Sequence, residues 1–80
     1  MKIYYGYDSE HYTDITDIVI SKCVFNNLIV IPKGDNLRPQ IFGDPYFGVL
    51  KHILIVDNLN AKYKIPSTKG ATIEFNSNYE

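Results

Sequence analysis

The run Val49-Leu50-Lys51-His52-Ile53-Leu54-Ile55-Val56 limits what this chain can become more than any other stretch. Side chains of a strand alternate between two faces. Leu50, His52, Leu54 and Val56 fall on one face; Val49, Lys51, Ile53 and Ile55 fall on the other. Both faces are mainly apolar, the pattern of an interior strand covered above and below. The β-branched residues and the Asp57-Asn58 stop favour a strand over a helix. The run is launched from Ile41-Phe42-Gly43-Asp44-Pro45-Tyr46-Phe47-Gly48, where two glycines bracket an Asp-Pro step. Pro45 fixes its own φ and holds Asp44 extended, so the segment reads as a compact turn feeding the strand.

The rest of the chain supplies neighbours for that strand. Ile3, Tyr5 and Tyr7 alternate with Lys2, Tyr4 and Gly6 as a first strand, and Asp8 to His11 is a polar turn. Two readings compete for residues 14–24. As a helix, it has Asp14 at its N-terminus, acidic Asp17 in the first turn, and Ile15, Ile18, Val19 and Cys23 on one face. As a strand, Ile18-Val19-Ile20 are good strand formers and poor helix formers. We favour a short helix. Leu28-Ile29-Val30-Ile31 is a short buried strand stopped by Pro32. Residues 33–48 form one long irregular stretch, of a kind that in small domains often carries function. Asp57 to Asn60 reads as a hairpin turn, Ala61 to Ile65 as a half-exposed strand, Pro66 to Gly70 as a turn, and Ala71 to Phe75 as a last strand. The expected fold is a single domain over residues 1–80. It is mainly β: a small antiparallel sandwich or partly open barrel with at most one short helix, at about 14–24.

With 80 residues the core is small, and self-association is a ready way to bury more surface. Eight basic and nine acidic residues give a formal charge of −1 with no basic stripe, which argues against nucleic acid and anionic membranes as partners. Seven Tyr and four Phe with no Trp suit surfaces that are partly apolar and partly wet. Cys23 is the one cysteine, so no internal disulfide forms, in keeping with a reducing compartment. The first residues lack a signal-peptide apolar core, and no apolar run approaches the ~20 residues of a membrane span. The expectation is a cytoplasmic protein.

Asp14-Ile15-Thr16, then Phe42-Gly43-Asp44-Pro45 followed by Gly48 and Lys51, then an alternating hairpin, together resemble a small β-rich domain family. The chain is similar, over roughly residues 4–75, to the C-terminal domain of a DnaJ-type co-chaperone family of mitochondrial membranes. Uncharacterised stand-alone versions occur in large DNA viruses and microbes. Tyr46-Phe47 departs from the pattern, which usually has small residues or proline there, and the chain carries no J-domain. The resemblance implies a non-catalytic interaction module and brings no catalytic residues.

The candidate ligand-binding residues are Asp35, Arg38, Asp44, Tyr46, Phe47 and Lys51. Aromatic planes flanked by Asp and Arg suit sugars, and Asp44 with Lys51 can hold a polar ligand at the start of the strand. The purely structural alternative has Asp44 capping its own turn, Lys51 reaching to water and the aromatics packing on the core. His11, His52 and Cys23 lack metal-ligand spacing, and Asp8, Glu10, Asp14 and Asp17 do not match a calcium loop. No nucleophile elbow or phosphate-cradling loop is present. The reading is a non-catalytic binding or scaffolding module with no cofactor, acting through protein–protein contacts. Its rivals are a carbohydrate-binding accessory module, a homo-oligomeric structural component, for instance of a viral particle, and a small hydrolase or transferase.

Overall fold

A computed structural model describes residues 1–34, 36–43, 46 and 48–74. Its strands, all antiparallel, are β1 (Lys2–Asp8), β2 (His11–Asp14), β3 (Val24–Phe25), β4 (Leu28–Ile31), β5 (His52–Val56), β6 (Lys62–Ile65) and β7 (Ala71–Glu74). Two short helices, α1 (Thr16–Lys22) and α2 (Arg38–Phe42), complete the described elements. One sheet has the order β2-β1-β5-β6 and the other β3-β4-β7. The mainly β, two-sheet architecture is the one the sequence implies. β5 is an interior strand bonded to β1 and β6, but it begins at His52 and not at Val49, and Val49 and Leu50 lie exposed ahead of it.

The inward faces of both sheets share one core. Ile3, Tyr5, Ile53, Ile55 and Ile65 come from the four-stranded sheet, and Ile29 and Ile31 from the three-stranded one. Helix α1 joins them through Val19, with Ile15 and Cys23 at its two ends, the i, i+4, i+8 spacing of a single helix face. Residues 14–24 therefore resolve into a helix that stops at Lys22 and a two-residue strand, β3.

The Asp14-Ile15-Thr16 motif has a concrete structural task. The Asp14 carboxylate accepts from the Thr16 N–H at 2.9 Å and from the Thr16 hydroxyl at 2.6 Å. Thr16 Oγ1 in turn accepts the Ile3 N–H at 2.9 Å, and the Ile15 N–H donates to the Ile3 carbonyl. The N-cap of α1 is Ile15; Asp14, the last residue of β2, holds the first helical residue, Thr16, and Thr16 ties that start to β1.

Three elements depart from the expected pattern. β2 lies where the sequence shows only a polar turn and two lead-in residues. β3 pairs with β4 through Asn26 and Asn27, whose φ values of 51° and 65° make a tight left-handed hairpin turn. Helix α2 is a second helix, one more than expected, inside the stretch read as loop. Pro39 near its start and Gly43 at its end, with φ 80°, are the residues that favour such a short turn of helix.

Candidate functional site

Of the six residues singled out from the sequence, Asp35, Asp44 and Phe47 lie outside the described residues. Arg38 is fully buried, at 0% exposure. Its Nε donates to the Pro32 carbonyl at 2.7 Å, Nη1 to Ile65 at 3.3 Å, and Nη2 to Pro66 at 3.0 Å and Lys69 at 2.6 Å. The guanidinium thus fastens the end of β4 to the β6–β7 turn and is not a surface group. Lys51 is 3% exposed, with its ammonium donating to the Val49 carbonyl at 2.7 Å and the Tyr46 carbonyl at 3.1 Å. It sits 5.7 Å from the centre of the Tyr5 ring, within cation–π range. Lys51 therefore holds the turn ahead of β5 against the core.

Tyr46 is half-buried and joins an aromatic group that spacing alone does not reveal. Tyr7 and His11 stack with centroids 4.7 Å apart, and Tyr46 meets them edge-on at 5.3 and 5.7 Å. His11 Nδ1 is 2.6 Å from the Asp8 carboxylate. That hydrogen bond, with a second from the Glu10 N–H, holds the Asp8 carboxyl below its ordinary value. A hairpin whose two strands are one short turn apart brings Tyr7 and His11 together, and the segment before β5 delivers Tyr46.

A second constellation lies on the outer face of the four-stranded sheet. Gly6 is opposite Tyr12 on one side and His52 on the other. Tyr12 leans across the space above Gly6, its hydroxyl 2.5 Å from His52 Nε2. Burial, then the charges of Lys64 and Arg38, lower the His52 pKa, and burial raises that of Tyr12. Next to them a groove of about 520 Å³ is lined by Asp8, Ser9, Tyr12, Leu54, Lys62 and Lys64. The two members of the Tyr12–His52 pair stand 40 residues apart, so only strand pairing could have joined them.

The three-stranded sheet presents a different outer face. Phe25 is opposite Leu28 and both point outward, with Val30 beside them on β4. Their exposures are 60%, 38% and 38%. A smaller, wholly apolar groove of about 310 Å³ lies where β6 and β7 approach without pairing, lined by Ile55, Tyr63, Ile65, Ala71 and Ile73. Among the described residues no three or more His, Cys, Asp or Glu side chains group as metal ligands, and no helix is long and apolar enough to cross a membrane.

No family model, curated protein or solved structure matches the chain.

Proposed function

We propose that the protein is a non-catalytic binding module that works through protein–protein contacts, with the outer face of the three-stranded sheet as its contact surface. The observation that carries the reading is strand β4. All four of its residues are apolar, as in a strand covered on both sides. Ile29 and Ile31 are buried, while Leu28 and Val30 face solvent together with Phe25. A strand with one face in water ordinarily alternates apolar with polar residues, and adjoining exposed apolar side chains mark interaction surfaces. The role also agrees with the interaction module implied by the resemblance to the co-chaperone domain.

The first partner to test is a second copy, because a face-to-face pair would cover Phe25, Leu28 and Val30 of both chains at once. Light scattering across a concentration series should then give a mass approaching twice the 9.2 kDa of one chain. Phe25→Ser combined with Val30→Thr should return it to one chain without loss of β-sheet circular dichroism. A mass of 9.2 kDa at every concentration excludes the second copy as partner.

A further inference from the structure

On the four-stranded sheet, register sorts the outward side chains by chemistry. Tyr12 on β2 lies beyond Gly6 on β1, and Leu54 on β5 is opposite both Tyr4 and Lys64. Lys62 and Lys64, two residues apart on β6, point to this same face. The groove they border therefore has distinct ends. At the β1–β2 turn it offers the Ser9 hydroxyl and the Oδ2 of Asp8, whose Oδ1 is taken by His11 and the Glu10 N–H, beside the Tyr12 ring. Leu54 forms its apolar middle, and the two ammonium groups close the far side. Tyr12 on β2 and the lysines on β6 are three strand spacings apart, about 14 Å, and the Tyr12 side chain narrows that gap by reaching across β1 to His52 on β5.

The lysines are uncommitted. The salt bridges among the described residues are Lys2–Asp14 and His11–Asp8, and neither uses Lys62 or Lys64. Two unpaired ammonium groups at one side of a half-apolar groove complement a phosphate monoester. A tyrosine ring at the other side complements a flat heterocycle, since ring stacking does not depend on a particular base. A carboxylate beside that ring accepts from an exocyclic amino group. The volume falls within the range of small-molecule sites.

We propose that this groove binds a nucleoside monophosphate. The base stacks against Tyr12 with its amino group toward Asp8, the ribose covers Leu54, and the phosphate sits between Lys62 and Lys64. The occupant is a free nucleotide and not a polymer, because two lysines neutralise too little phosphate to hold a strand at physiological salt. This site is on the opposite sheet from the proposed protein contact surface, so each stands or falls separately.

The test is a titration of the intact chain followed by amide chemical shifts. Adenosine and cytidine monophosphate should cause saturable shifts at Ser9, Tyr12, Leu54, Lys62 and Lys64, with Kd about 1 mM or tighter. Uridine monophosphate, which lacks the amino group, should bind several-fold more weakly. Lys62→Gln with Lys64→Gln should weaken adenosine monophosphate about tenfold, the scale of one or two charge-assisted bonds in an open groove. Both side chains are exposed, so that variant keeps its fold. Tyr12→Leu should weaken adenosine and its monophosphate alike. The proposal is overturned by the absence of saturation to about 10 mM, by shifts centred elsewhere, or by inorganic phosphate binding as tightly as the nucleotide. A single-stranded oligonucleotide that binds far more tightly, with steep salt dependence, would also overturn it.

Discussion

Replacing Arg38 offers the sharpest test of how this fold is held together. The side chain is fully buried and its guanidinium reaches four backbone carbonyls, those of Pro32, Ile65, Pro66 and Lys69. A hydrogen bond from a charged donor contributes about 1.5–3 kcal/mol, and a carbonyl left dry costs about 1–3 kcal/mol. The Ile65 bond is buried, whereas the other three are partly buried, so water can replace some of what they lose. Weighting them accordingly puts Arg38→Met, which keeps most of the volume and none of the donors, at about 4 kcal/mol of destabilisation. At roughly 0.05–0.15 kcal/mol per residue, a chain of this length holds only about 4–12 kcal/mol in all. Arg38→Met should therefore lose at least about a third of the stability of the parent. Arg38→Lys, with a compact ammonium in place of the planar fork, should recover about half the loss. Urea unfolding at constant m measures both. If Arg38→Met unfolds within about 1 kcal/mol of the parent, the carbonyl clasp is not what joins α2 to the β6–β7 turn.

Two other perturbations probe the outer face of the four-stranded sheet. A Cβ at Gly6 would strike the His11 carbonyl oxygen and come within 2.7 Å of Tyr12 Cδ1. Gly6→Ala should thus cost about 3 kcal/mol, and a melting temperature within about 2 °C of the parent would refute the packing above β1. His52 is held below its ordinary value of 6.5 by burial, and further by Lys64 and Arg38. Between its folded value and 6.5 the unfolded chain binds the proton more readily, so stability falls as pH drops through that window and levels off below it. The parent should show this slope in urea midpoints relative to His52→Phe, and identical slopes would contradict the burial of the imidazole.

What could be read from the sequence depended on how local each signal was. β4, β5 and β6 each carry their pattern within a few residues: an apolar run, or alternation closed by Pro or Asp-Asn. The face Ile15, Val19 and Cys23 favoured a helix for residues 14–24, but the Ile18-Val19-Ile20 run kept a strand in competition, and only the packing of α1 on the core decided it. β2 did not announce itself, because His11-Tyr12-Thr13-Asp14 has one large apolar ring and is a strand only through its pairing with β1. Helix α2 was hidden for the opposite reason, since Pro39 and Gly43 read as loop residues unless they are recognised as the two ends of one helical turn. The candidate residues divide the same way. Arg38 and Lys51 carry charges, which suggests a surface. Three of the carbonyls that hold Arg38 come from the distant Ile65–Lys69 segment, whereas Lys51 folds back onto its own neighbours Tyr46 and Val49 and is buried against Tyr5. Tyr46 was visible as an unusual aromatic, but Tyr7 and His11 became its neighbours only through the fold.

The central position of β1 also has a consequence for how the chain matures during synthesis. Lys2–Asp8 can zip to β2 as soon as the first hairpin leaves the ribosome, but its other edge must wait for His52–Val56. Until then the nascent protein carries an open row of amide and carbonyl groups beside Ile3 and Tyr5, a template for errant pairing. Translation speed between the first hairpin and β5 should accordingly govern how much of the product escapes aggregation.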